Sequence, residues 1–125
     1  MAYNSFEELN VYKECRRLKV EIIKVCEKEI PNEEKYSLIS QIKRSSRSVT
    51  ANIAEGHGRY HYQENIQFCR QARGSLTETL EHLITAFDEG YIKEGKLEEL
   101  RIEYERCLKL LNGYIAYLKR KKMNG

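Results

Sequence analysis

Apolar residues recur at steps of three and four along most of this 125-residue chain, the spacing that places them on one face of an α-helix. The first stripe comprises Leu9, Tyr12, Cys15, Leu18, Ile22, Cys26 and Ile30. Ser5 and Glu8 have the spacing of a capping box before it, and Pro31 ends it because proline disfavours a helical residue before it. Asn32 is then expected to cap the second helix.

The second stripe lies between two polar flanks of different character. Its apolar residues are Leu38, Ile39, Ile42, Val49 and Ile53. One flank carries Lys43, Arg44 and Arg47, and the other carries short uncharged side chains such as Ser45 and Ser48. Short side chains suggest that another helix backbone approaches closely on that flank.

Glycines mark the expected ends and crossings of the helices. Gly56 and Gly58 are expected to close the second helix in a left-handed conformation, and Gly90 to stop the third. Gly74 falls inside the third helix, where glycine costs about 1 kcal/mol relative to alanine. We expect a close helix crossing there as compensation.

Two further stripes complete the pattern. The third helix has Ile66, Cys69, Ala72, Leu76, Leu80, Leu83 and Phe87, and the fourth has Leu97, Leu100, Tyr104, Cys107, Leu108, Leu111, Tyr114, Ile115 and Leu118. The predicted helices span about 5–30, 33–56, 62–89 and 95–121. Short connections between long helices favour antiparallel neighbours, so we predict one all-α domain over 1–125, an up-down-up-down four-helix bundle.

Composition limits the classes of function. The net charge is +3, with the surplus of bases in the second and last quarters of the chain, which permits an anionic partner without demanding one. The four cysteines are scattered singly on or beside apolar stripes and are expected to be buried thiols. The start of the chain lacks the apolar core of a signal peptide, and no apolar run is long enough to span a membrane. We therefore expect a cytoplasmic protein.

Several segments together resemble a known family. They are FEEL at 6–9, VYK at 11–13, YSLISQIKRS at 36–45, SVTANIAEGHGR at 48–59, ARGSLTE at 72–78, GYI at 90–92 and LLNGYI at 110–115. In this order they resemble the four-helix-bundle proteins encoded in intervening sequences of 23S ribosomal RNA genes, over about residues 6 to 120. Arg70 and Arg73 depart from the alanine-rich third helix of that pattern.

The resemblance implies an assembly and a partner class. It implies a four-helix protomer that forms a homo-oligomeric ring, with five copies expected. It also implies kinship with the accessory protein of diversity-generating retroelements, a basic barrel that engages a reverse transcriptase and nucleic acid. We therefore expect RNA or DNA, or a nucleic-acid-processing protein, as partner.

The candidate nucleic-acid-binding residues are basic or aromatic. They are Lys43, Arg44, Arg47, Arg59, Tyr60, Tyr62, Arg70 and Arg73, with Lys35 nearby in the sequence. Converging cations would neutralise phosphates, and the tyrosines would offer faces to unpaired bases. The alternative is that the cations solvate helix surfaces and the tyrosines are partly buried at one end of the bundle. The base run 119–122 is explained by the negative end of the helix dipole.

The other polar clusters favour structure over catalysis. Ser48, Asn52, Glu55 and Glu78 are predicted to form a polar network between the second and third helices. A catalytic pair of Glu55 and Glu78 lacks an accompanying nucleophile or oriented base, so we expect no enzyme and no cofactor. Gly58 interrupts the helical spacing of His57 and His61, so we expect no metal site.

Some apolar residues lie off the main stripes. They are Val11, Val20, Val25, Phe68, Ile84, Ile102 and Tyr117. A second apolar face is the expected mark of an oligomer interface. Two hypotheses follow: a non-enzymatic oligomer that binds nucleic acid, or an oligomeric scaffold that binds another protein.

Overall fold

The computed structural model describes residues 5–124, and all of the regular structure in that range is helical. The four α-helices are α1 (Asn10–Glu29), α2 (Leu38–His57), α3 (Tyr62–Asp88) and α4 (Glu94–Asn124). Two short 3₁₀ helices, Phe6–Glu8 and Asn32–Glu34, precede α1 and α2.

The helices form a four-helix bundle in which each one contacts two neighbours. α2 packs on α1 and, most extensively, on α3, and α4 packs on α3 and α1. Contacts between α2 and α3 pair residues in opposite order along the two helices: Ser48 meets Ser75, and Ser45 meets Thr79 one turn away. This order is the one expected of antiparallel neighbours and agrees with our interpretation of an up-down-up-down bundle.

The start of α1 differs from the predicted capping box. Ser5 does cap a helix, but its Oγ accepts from the Glu7 backbone N–H, 3.1 Å away, and the capped element is the short 3₁₀ helix. Leu9 is extended, with ψ 129°, and separates this turn from α1. The first α-helix therefore begins at Asn10.

The connection between α1 and α2 corrects the prediction for Asn32. Pro31 is extended, which ends α1 as expected, but Asn32 begins a 3₁₀ turn instead of capping α2. The α2 start is satisfied by Glu34, whose Oε1 accepts from the Leu38 backbone N–H at 3.3 Å. A carboxylate there also faces the positive end of the α2 dipole.

The glycines behave differently from one another. Gly90 has φ +84° and ends α3 as predicted, with the Tyr91 N–H bonded to the Ala86 carbonyl oxygen. Gly58 has φ −78°, so the predicted left-handed closure of α2 is wrong, and α2 continues through Gly56. The expected close crossing at Gly74 is also wrong, since a Cβ built there meets nothing within 4 Å. The close approach is at Gly56.

Most of the predicted stripes are buried, together with two residues placed off them. The buried core contains Val11 and Val25, so these two are not part of a second, exposed apolar face. Because α1 contacts both α2 and α4, its buried arc is wider than a single stripe. Phe68 and Ile84 are half-buried, while Val20, Ile102 and Tyr117 are exposed.

All four cysteines are free and buried, as predicted. Burial raises the pKa of the Cys26 thiol to about 11, and it raises that of Cys69 to about 11 as well. These two thiols are therefore protonated and act as small hydrophobic side chains.

Candidate nucleic-acid interface

The basic flank of α2 forms one open face of the bundle. A shallow depression on that face is lined by Lys35, Tyr36, Ile39, Ser40, Lys43, Arg44 and Arg47. Four of these seven side chains are cationic, and none of them is acidic. The predicted cluster of Lys43, Arg44 and Arg47 is thus gathered on one surface, joined by Lys35.

Lys19 of α1 extends this basic face across the helix seam. Its Nζ donates to the Thr50 Oγ1 of α2 at 3.1 Å. Burial lowers the pKa of Lys19, and the charges of Arg16 and Arg47 lower it further. We use the name α1–α2 basic face for Arg16, Lys19, Lys35, Lys43, Arg44 and Arg47.

Sequence reasoning missed the α1 members of this face. Arg16 and Lys19 are one turn apart, on the edge of the α1 apolar stripe that meets α2. That spacing was a usable signal, but which edge faces α2 depends on how the two helices pack. The sequence alone does not contain that register.

The corner between α2 and α3 holds three other predicted residues. The Arg59 guanidinium donates to Glu55 at 2.8 Å and lies 4.8 Å from the centre of the Phe68 ring. Its charge is therefore partly neutralised within the bundle. Tyr60 is 92% exposed, which argues against the structural alternative for that residue, whereas Tyr62 is 43% exposed and so partly buried, as that alternative expected.

The two predicted arginines of α3 do not join the α1–α2 basic face. Arg73 donates to the Asn112 side chain of α4 at 2.8 Å, which places it on the α3–α4 side of the bundle. Arg70 is exposed on α3. The predicted set is therefore divided among the α2 flank, the α2–α3 corner and the outer side of α3.

The polar network between α2 and α3 contains hydroxyls more than carboxylates. Asn52 donates to the Ser48 carbonyl oxygen at 2.8 Å and lies 2.9 Å from its hydroxyl, and Ser75 donates to that hydroxyl at 3.0 Å. One turn away, the Ser45 and Thr79 hydroxyl oxygens are 2.8 Å apart and fully buried.

The two glutamates predicted for this network lie outside it. Glu55, on α2, pairs with Arg59 in the connection that follows α2. Glu78 lies 3.2 Å from His82, and both are on α3. Both carboxylates are more than half exposed. The structure therefore does not assemble the carboxylate pair that a hydrolytic site would need.

A group of tyrosines lies where α4 ends beside the start of α3. The Asn65 side-chain amide donates to the Tyr114 hydroxyl at 3.3 Å, and the Tyr114 and Tyr117 rings are stacked with centroids 6.1 Å apart. Lys121 lies 5.7 Å from the centre of the Tyr117 ring. Lys122 donates to the Gln63 side chain and so holds the last turns of α4 against α3.

Acidic side chains concentrate on a different seam. A groove between α1 and α4 is lined by Glu14, Arg17, Leu18, Glu21, Lys96, Glu99, Leu100 and Glu103. Glu14 is itself paired with Arg17 and with Arg106, each at 3.1 Å. This groove therefore holds acids together with the bases Arg17 and Lys96, whereas the depression on α2 holds bases without an acid and is better suited to a polyanion.

Two further findings concern residues 5–124 only. In that range, no group of three or more His, Cys, Asp or Glu side chains is placed to hold a metal ion. None of the helices described is both long enough and apolar enough to cross a membrane.

The fold and these surfaces define an all-helical bundle with a basic depression on α2, a group of tyrosines at the end of α4 and a groove of mixed charge between α1 and α4. Residues 7–113 match the family model of the 23S rRNA-intervening sequence proteins, which covers most of the chain. The protein belongs to this family, and the resemblance of its motifs is thereby confirmed. The kinship with retroelement accessory proteins stays a prediction.

A solved structure supports the fold independently. The bundle is similar to a protein of unknown function from the S23 ribosomal protein family of Bacteroides thetaiotaomicron, with a TM-score of 0.78 and 23% sequence identity. The alignment covers 85% of this chain and 95% of that one. No protein with a curated description matches the chain significantly.

Proposed function

We propose that this protein binds nucleic acid without catalysing a reaction on it. In this proposal the α1–α2 basic face contacts the phosphates of the nucleic acid. The observation that supports this most directly is the depression on α2, whose lining holds four cations and no acid. Lys19 adds to it, because its ammonium is partly buried beside Arg16 and Arg47 and carries a lowered pKa. An anion near these groups relieves their mutual repulsion.

The expected binding mode is electrostatic and tolerant of sequence. Lysine and arginine that neutralise phosphates release condensed counterions, so the affinity falls as salt rises. A row of such side chains along two helices suits the sugar–phosphate backbone of a nucleic acid that crosses the bundle. Sequence-specific contacts are not part of the proposal.

The test is a fluorescence-anisotropy titration of a labelled single-stranded RNA at several salt concentrations. The variant Lys43→Gln/Arg47→Gln removes two charges of the basic face and lowers the net charge from +3 to +1 (3 − 2 = 1). We expect weaker binding and a log–log salt slope shallower by about 1.4, which is about 0.7 for each lost phosphate contact.

The matched control is Lys93→Gln/Lys109→Gln, which removes the same charge from exposed positions in the connection before α4 and on α4. It should leave the slope nearly unchanged. Equal losses in the two double variants would show that only the net charge matters. An unmodified protein that binds nothing at low salt removes the nucleic-acid proposal altogether.

We also propose that the chain self-associates, as the resemblance to ring-forming relatives implies. Ile102, on α4, is 66% exposed and is the large aliphatic side chain whose substitution tests an interface on that helix. Light scattering should give a mass well above 14.8 kDa, near 74 kDa if five copies assemble (5 × 14.8 = 74). Ile102→Glu should shift the mass toward the monomer while the helical circular dichroism is kept.

The scaffold hypothesis is an outcome of the same experiments. An oligomer that shows no salt-sensitive binding of nucleic acid would favour a protein-binding scaffold. A protein that is monomeric at micromolar concentration would overturn the assembly proposal, whatever it binds.

A further inference from the structure

The tyrosines at the end of α4 are arranged unlike ordinary core residues. Tyr114 is half-buried and anchored, since its hydroxyl accepts from the Asn65 amide at 3.3 Å. Tyr117 is stacked on it with an interplanar angle of 15°, yet it is 44% exposed. Tyr114 thus closes the end of the bundle, and Tyr117 presents an aromatic ring to solvent from a fixed support.

One cation lies over this ring, and three more adjoin it in the sequence. Lys121 lies over Tyr117, and Lys122 is held at the start of α3 by Gln63. With Lys119 and Arg120, the last turns of α4 carry four consecutive bases, whereas the first turn of α3 contributes the single acid Glu64. A helix dipole explains bases at a C-terminus, but it does not explain why they adjoin a stacked, exposed aromatic pair.

Tyr62 belongs to the same surface. It is the first residue of α3 and directly precedes Gln63, whose side chain Lys122 contacts. It is nearly as exposed as Tyr117. We use the name tyrosine platform for Tyr62, Tyr114 and Tyr117 together with Lys121 and Lys122.

We propose that the tyrosine platform stacks an unpaired nucleobase on Tyr117, so that the protein prefers single-stranded to fully paired nucleic acid. This inference rests on the proposed function, that the protein binds nucleic acid, and Lys121 and Lys122 are the platform's own candidates for phosphate contacts. Aromatic rings stack on any base through its π-face, and that face is hidden within a duplex. A base on Tyr117 takes the place of Lys121, whose ammonium then lies beside the strand's phosphates.

The test compares three labelled oligonucleotides of equal length: a single strand, a blunt duplex, and a single strand of abasic sites that keeps the sugar–phosphate backbone. Tyr117→Leu should weaken binding of the single strand by about tenfold and leave the other two affinities unchanged. Tyr117→Phe keeps the ring and should bind like the unmodified protein. The chain has no tryptophan, so stacking should also quench its tyrosine fluorescence.

Three results with the variants would overturn the platform. The first is that Tyr117→Leu loses as much affinity for the abasic strand as for the normal single strand. The second is that Tyr117→Phe loses as much affinity as Tyr117→Leu. The third is that Tyr36→Leu, in the α2 depression, shows a base-dependent loss of affinity that Tyr117→Leu does not show. Unmodified protein that binds abasic and normal strands equally well disproves stacking while the proposed function stands. Failure to bind any of the three removes both. Tyr117 is exposed, so circular dichroism of the variants should confirm an unchanged fold.

Discussion

Gly56 of α2 lies so close to Asn65 of α3 that a Cβ on Gly56 would be 2.6 Å from the Asn65 Oδ1. The same Cβ would be 2.9 Å from the Phe68 Cβ and 3.1 Å from the Asn65 carbonyl oxygen. Two of these three atoms belong to the backbone or adjoin it, so a side-chain rotation cannot relieve the contact. The helices themselves would have to separate.

We therefore predict that Gly56→Ala destabilises the bundle. Alanine gains about 1 kcal/mol in helix propensity, but overpacking costs about 1–3 kcal/mol, and the rigid neighbours place this site at the upper end. The expected net loss is about 1–2 kcal/mol in the free energy of unfolding, measured by urea denaturation. A stabilised Gly56→Ala protein would show that α2 and α3 are less closely packed here.

Gly74 and Gly113 supply the opposite prediction. A Cβ built at either position meets nothing within 4 Å, and both residues are exposed within helices. Gly74→Ala and Gly113→Ala should each raise the free energy of unfolding by about 0.5–1 kcal/mol, since only helix propensity changes. The mass in solution should stay the same. A lower mass for either variant would mean that another copy covers that glycine.

These glycines show which parts of the fold a sequence can predict. Apolar spacing identified four helices, because burial of one face is a property of each helix by itself. The place where two helices approach most closely depends on the register between them. The sequence predicted a helix end at Gly56 and a close crossing at Gly74, and only the packing of α2 on α3 shows that the close approach is at Gly56.

The buried hydroxyl pair between α2 and α3 gives a third prediction. Thr79 lies 2.8 Å from Ser45 and also 2.8 Å from the Ser75 carbonyl oxygen, and it is only 2% exposed. Thr79→Val keeps the shape and removes the hydroxyl, which should cost about 1 kcal/mol in the free energy of unfolding. Ser45 and Thr79 should be coupled in a double-mutant cycle with Ser45→Ala.

The control for this cycle is Thr85→Val on the same helix. Thr85 bonds the Glu81 carbonyl oxygen within α3 and is not fully buried. Its substitution should change the free energy of unfolding by less than about 0.5 kcal/mol. If Thr79→Val and Thr85→Val behave alike, the hydroxyl pair does not stabilise the helix contact.

The candidate site was only partly predictable for the same reason as the fold. Lys43, Arg44 and Arg47 share a face because they share a helix, and helical geometry alone groups them. Lys19 joins them only through its contact with Thr50, which is a tertiary fact. Glu55 and Glu78 were expected to meet across α2 and α3, but each has a nearer partner along the chain.

At the end of the bundle where α3 connects to α4, the Tyr91 hydroxyl bonds Glu34. The Tyr91 hydroxyl donates to the Glu34 Oε2 at 2.7 Å and joins the connection before α2 to the connection before α4. Hydrogen bonds from Ser37 and then Tyr91 hold the pKa of Glu34 below its usual value of 4.5. The bond to Glu34 raises the pKa of Tyr91 from 10.0 to about 12.

Each pKa shift predicts a range of pH in which stability is lost. The Glu34 carboxylate binds fewer protons in the folded state, so its stabilising contribution is present above about pH 4.5 and is lost as the pH falls below that value. The folded state keeps the Tyr91 proton longer than the unfolded chain does. Its contribution is therefore present below pH 10 and is lost as the pH rises from 10.0 to about 12.

Tyr91→Phe isolates the alkaline effect, because phenylalanine has no proton to release. At neutral pH the variant should melt a few degrees below the unmodified protein, since one hydrogen bond is lost. Above pH 10 this difference should shrink, because the unmodified protein then loses its own contribution. Tyr36→Phe, at an exposed tyrosine near the same connection, is the control and should show no such convergence. The difference in melting temperature between Tyr91→Phe and the unmodified protein could instead stay constant from pH 8 to pH 11. That result would show that the bond between Tyr91 and Glu34 does not stabilise the contact between the two connections.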